Sequence, residues 1–145
     1  VLDQTKFPSA EGLLRGAYVL SDCEGTPEII LMASGSEVSI TLKASEKLKA
    51  EGIKIRVVSF PSWELFEQQT EEYKESVIPA NVKSRISVEA GIKMGWEKYV
   101  GDNGESISVE KFGSSAPVDI VMEKYGFTAD HVYEVAKNVI ARNRK

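Results

Sequence analysis

The sequence predicts an α/β domain with a mostly parallel sheet and helices on both faces. Two observations support this. From residue 28 onward, short apolar β-branched runs alternate with stretches whose apolar residues recur at helical spacing. Each run passes into the next helix through small or turn-forming residues, Ser34-Gly35-Ser36 being the first example. A third observation sets the scale: 145 residues, 42% hydrophobic and 28% charged, suit one domain with a real core.

Residues 3–12 (DQTKFPSAEG) show no period and read as a connector. The chain opens on Val1-Leu2-Asp3, which reads as the end of a segment begun upstream, so a domain of a longer protein is expected. Arg15 to Ser21 suits a strand. The turn at residues 22–27 makes a hairpin to the next strand the local expectation, although six residues also allow a partner elsewhere. Ile29 to Ala33 is a continuous apolar run, expected to be covered on both faces. Ser34 or Ser36 can cap the helix that follows, with Glu37 in its first turn and Val38, Thr41, Leu42, Ser45 and Leu48 on one face. Gly52 stops it.

Lys54 to Phe60 is the next strand. Trp63 to Ser76 reads as one helix with an acidic outer flank of Glu64, Glu67, Glu71, Glu72 and Glu75. Val82 to Glu89 is a third apolar strand, followed by one or two helical turns over residues 94–100. Ser106 to Glu110 is a short strand, and Pro117 opens a further helix. Thr128 is the natural cap of the last helix, whose stripe is Val132, Val135, Ala136, Val139 and Ile140.

Composition narrows the function classes. A net charge of −4 argues against a general nucleic-acid binder. Cys23 is the sole cysteine, which excludes an intrachain disulfide and places the protein in a reducing, cytoplasmic setting. No apolar run approaches the ~20 residues that cross a bilayer.

In open parallel sheets, ligands sit beyond the carboxyl ends of the strands, at a switch in strand order. Ser34, Gly35, Ser36, Glu89, Gly91 and Ser114 fall at such ends and form the candidate anion or regulatory site. The plainer reading is that serine and glycine turn and cap the chain there, since none of these loops holds a lysine or arginine. Ser34-Gly35-Ser36-Glu37 lacks the Gly-Lys-Ser/Thr end of a phosphate loop. His131 is the sole histidine and reads as a surface residue. Cys23 has no histidine near it in sequence. Trp63, Trp96, Tyr99 and Phe112 read as core or as a face toward another domain. No catalytic set is visible.

An ordered series of short stretches then points to a family. It runs from Arg15-Gly16-Ala17-Tyr18-Val19 through 33–38 (ASGSEV), 60–66 (FPSWELF), 73–79 (YKESVIP) and 88–91 (VEAG). It continues through 95–101 (GWEKYVG), 112–117 (FGSSAP) and 125–128 (YGFT). Over essentially the whole chain the set resembles the C-terminal domain of transketolase. The resemblance implies a three-layer α/β/α domain with a five-stranded mixed sheet. In it the first strand runs antiparallel and lies beside the third, which displaces the hairpin reading. The switch in strand order then falls between the strands ending at Ala33 and Glu89.

The resemblance further implies that residues 1–12 end a middle domain and its linker, and that residues 13–145 are the C-terminal domain. It implies a homodimeric parent enzyme of the pentose phosphate pathway that transfers a two-carbon ketol unit between sugar phosphates. That enzyme uses thiamine diphosphate with magnesium or calcium, held by the upstream domains of the same chain. No catalytic, cofactor or metal residue of the family has a matching position here. The isolated chain is therefore expected to be inactive, as a scaffold or regulatory domain. The alternative reading is a small-anion or nucleotide-binding module at the strand ends.

Overall fold

The computed structural model describes residues 15–34, 37–89, 97–101, 103–108 and 128–143. They form five strands, β1 (Tyr18–Ser21), β2 (Ile29–Ala33), β3 (Ile55–Ser59), β4 (Arg85–Glu89) and β5 (Glu105–Ser108). The helices are α1 (Glu37–Ala50), α2 (Trp63–Glu67), α3 (Glu71–Val77), α4 (Glu97–Val100) and α5 (Ala129–Asn143). Helix expected after Pro117, and the last two residues of the strand expected over 106–110, lie outside the described residues.

The sheet order is β1-β3-β2-β4-β5, with β1 antiparallel to β3 and every other pairing parallel. The local hairpin expectation is thus corrected, and the order implied by the family resemblance holds. Burial explains the choice. All five residues of β2 are buried, so it belongs at the centre with a parallel neighbour on each side. β1 is half-buried and irregular in register, which suits an edge. A side-chain clasp holds it there: Arg56 of β3 donates through Nε to Asp22 Oδ1 at 3.0 Å and through Nη2 to Oδ2 at 3.3 Å.

Side chains alternate across the sheet as the pleat requires. Ile29, Leu31 and Ala33 join one core with Ile86, Val88, Leu48, Val132, Ala136 and Val139, beneath α1 and α5. Ile30 and Met32 join a second core with Val58, Phe60, Phe66, Val77 and Tyr99, beneath α2, α3 and α4.

The ends of α1 and α5 follow the sequence. Gly52 adopts φ +83°, its N–H donates to Lys49 O, and Ile53 N–H donates to Leu48 O, which closes α1 in a Schellman turn. Thr128 Oγ1 accepts from His131 N–H and caps α5. The single helix expected over 63–76 is corrected to two. Gln68 and Gln69 end α2, and Thr70 takes extended backbone angles and accepts from Tyr73 N–H to cap α3. Thr70 followed by Glu71 and Glu72 is a helix start in its own right, hidden by the common apolar stripe of Phe66 and Tyr73.

Candidate functional site

Among the described residues, two of the places that gather polar side chains bear on the candidate site. One is the crevice at the carboxyl ends of β2 and β4, where the strand order switches as expected. Ser34 leaves β2 and Glu89 ends β4, and the Ser34 hydroxyl donates to the Glu89 carboxylate. The fold therefore brings together two of the six candidate residues. Gly35, Ser36, Gly91 and Ser114 lie outside the described residues. A carboxylate at the switch point disfavours a second anion there. Glu37, at the start of α1, is itself buried at 4% exposure.

The other place is a groove of about 420 Å³ on the opposite face, between α3, the 78–80 turn and the first residue of β4. Arg85 enters it from the strand. Its guanidinium donates to the carbonyls of Val82 at 2.8 Å, Tyr99 at 2.9 Å and Pro79 at 2.9 Å. Burial lowers its basicity, and the charge of Glu75 acts in the opposite sense. Tyr99 donates its hydroxyl to Glu67 Oε2 at 2.5 Å. Burial first, and that hydrogen bond second, push the phenol well above its ordinary value, so it stays protonated. Lys74 pairs with Glu71 at 3.2 Å and with Glu67 at 3.6 Å, and the hydrogen bond to Glu71 raises its pKa.

The expected acidic flank of α3 is thus one wall of a groove, and Glu67 turns inward to a tyrosine. The signal available in the sequence was Arg85, a cation at the start of the Ile86–Val88 strand run. Tyr99 and Trp63 pack with Phe60 and Phe66 in an aromatic cluster, as the core reading expected. Trp96 and Phe112 lie outside the described residues.

His131 is exposed. The Cys23 thiol is pushed up by burial and by neighbouring Asp22, which opposes a nucleophilic role. Among the described residues, no three His, Cys, Asp or Glu side chains cluster as a metal site.

Residues 16–128 match the family described as the transketolase-like TK C-terminal domain. The chain belongs to the transketolase C-terminal domain family. It is 50% identical over 132 residues to a transketolase of Staphylococcus aureus (strain MW2), covering 91% of this chain and 20% of that protein. It is 47% identical over 140 residues to a chloroplastic transketolase of Solanum tuberosum, covering 95% and 19%. The crystal structure of a Pichia stipitis transketolase in complex with sedoheptulose 7-phosphate superposes with a TM-score of 0.86. There the identity is 34%, over 96% of this chain and 20% of the other. This transketolase-type domain spans about a fifth of the length of the curated relatives it matches. No finding supports the alternative expectation of an anion- or nucleotide-binding module. Among the described residues no helix is long and apolar enough to cross a membrane.

Proposed function

We propose that the chain serves as the C-terminal domain of a transketolase, supporting the catalytic domains without supplying a catalytic group. One observation carries the reading. Half the residues are identical to the S. aureus transketolase over nearly the whole chain, yet the match takes up only a fifth of that enzyme. The rest of such a protein is then available to hold the chemistry. In this reading residues 1–12 are linker and residues 13–145 the domain proper. The parent is a homodimer that moves a two-carbon ketol unit between sugar phosphates in the pentose phosphate pathway. Thiamine diphosphate with magnesium or calcium, bound by the upstream domains, supplies the carbanion chemistry. We place the enzyme in the cytoplasm, because this chain's one cysteine calls for no oxidising compartment. The potato relative is chloroplastic, so a plastid is the compartment to test against.

A domain exchange tests the proposal. The matching segment of the S. aureus enzyme is replaced by this chain, and ketol transfer from xylulose 5-phosphate is measured with thiamine diphosphate and magnesium. The chimera is expected to fold, dimerise and turn over, while the 145-residue chain alone gives no product. Turnover by the chain alone, or a folded dimeric chimera without activity, overturns the reading.

A further inference from the structure

The groove between α3 and the start of β4 holds a cation and an anion that do not meet. Arg85 has five N–H donors, of which three go to backbone carbonyls. No carboxylate lies within ion-pair distance of it among the described residues. Across the groove Glu75 accepts from Ala80 N–H through Oε2 at 2.9 Å, which leaves its second oxygen without a protein donor among the described residues. The neighbouring charges do not fill this gap, because Lys74 turns to Glu71 and Glu67. The half-buried guanidinium thus keeps two N–H groups, and the exposed Glu75 one oxygen, with capacity for a ligand. Beneath both groups the floor is apolar, formed by Phe66 and Ile78. The volume of about 420 Å³ suits a small molecule.

We propose that this groove binds the zwitterion of an α-amino acid with an apolar side chain. The carboxylate takes the two remaining N–H groups of Arg85, the ammonium takes Glu75, and the side chain lies over Phe66 and Ile78. A plain anion meets the acidic wall of α3, and a plain cation meets Arg85. A molecule carrying both charged groups on one carbon satisfies both walls. This proposal stands apart from the transketolase reading, since it needs only the groove.

The test uses L-leucine and two analogues that each lack one charge, 4-methylpentanoate and 3-methylbutylamine. Each is titrated into the 145-residue chain while the Arg85 Nε–H and the amides of Lys74 and Glu75 are followed by NMR. Leucine is expected to give saturable shifts at millimolar concentration, and each analogue to bind about tenfold more weakly. Arg85 substitutions endanger folding because the side chain ties three segments together. Glu75→Gln keeps an acceptor for Ala80 N–H, and it is expected to weaken leucine about tenfold while 4-methylpentanoate binds no more weakly than before. Three results overturn the proposal: no saturable shift with leucine, equal binding by either analogue, or full leucine affinity in Glu75→Gln.

Discussion

On one face of the sheet lie α1 and α5, of 14 and 15 residues. On the other lie α2, α3 and α4, of five, seven and four. The first face is held chiefly by aliphatic interlock: Ala44, Leu48, Val132, Ala136, Val139 and Ile140 meet the strands, while the buried hydroxyls of Thr41 and Ser45 donate back to the α1 carbonyls of Glu37 and Leu42. Its ion pairs, Lys47 with Asp130 and Lys137 with Glu51, are surface contacts of small energetic weight. Helices of five and seven residues cannot cover a sheet in that way, because nucleation is costly and each has few core-facing positions. The second face compensates with aromatic rings and with side chains bonded to backbone. Phe66 sits 5.0 Å from Phe60 and 6.0 Å from Tyr99, ring to ring. Tyr73 Oη donates to Ala17 O at 2.7 Å, and Arg56 donates to the carbonyls of Ser76 and Val77 at the end of α3. Long helices need only a stripe, whereas short ones need anchors.

The sharpest way to break this contrast is Gly16. It adopts φ +85°, and a Cβ placed there would lie 2.3 Å from Phe66 N and from Ser62 O. Gly16→Ala combines backbone strain with overpacking against α2, so a loss of roughly 3–5 kcal/mol is expected, read by denaturant unfolding. A loss below about 1 kcal/mol would show that α2 yields easily and does not anchor the strand.

Next come matched truncations. Phe66→Ala on the anchored face should cost about 3–5 kcal/mol, and Leu48→Ala on the interlocked face about 2–5 kcal/mol. Hydrogen exchange separates them. Phe66→Ala should expose amides of α2 and α3 locally, whereas Leu48→Ala should lower protection throughout. The same pattern from both variants would erase the distinction.

Tyr73→Phe deletes one hydroxyl and leaves the ring. About 1 kcal/mol of stability should go, together with faster exchange in the Arg15–Ala17 segment. An unchanged midpoint would mean that the hydroxyl is a passenger.

The smallest effect belongs to Glu51. The hydrogen bond from Lys137, and then that from Tyr133, hold its carboxyl below the ordinary 4.5. Its folded pKa therefore lies below the unfolded one. The stability it adds is complete above 4.5 and is lost as pH falls through the folded value. Glu51→Gln should lower Tm slightly at neutral pH and converge with wild type in acid, so that its acid limb is flatter. An acid limb identical to wild type would remove this pair from the account.

The stripe of α5 and the stop at Gly52 were legible because each depends on neighbours a turn away. The break at Thr70 was not. Phe66 and Tyr73 lie seven residues apart and suit one helix as well as two, and it is the shared aromatic core that admits the second. In the strand-end crevice, Ser34 and Glu89 could be placed at one edge by periodicity. Their hydrogen bond could not be read, because 55 residues separate them. The groove stayed hidden for the same reason, since Arg85 and Glu75 belong to different elements and were read as strand and solvated flank.

What the sequence by itself determined was the alternation of buried strands and amphipathic helices, most of their ends, and the family. Those follow from short-range spacing, capping and turn chemistry, which act over a few residues. Local pattern did not place β1 beside β3, which only the family resemblance implied, and only the tertiary structure decided that one acidic helix becomes two and that Ser34 spends its proton on Glu89. Each of these is settled by competition among distant partners for buried surface and hydrogen bonds, a contest that local pattern does not encode.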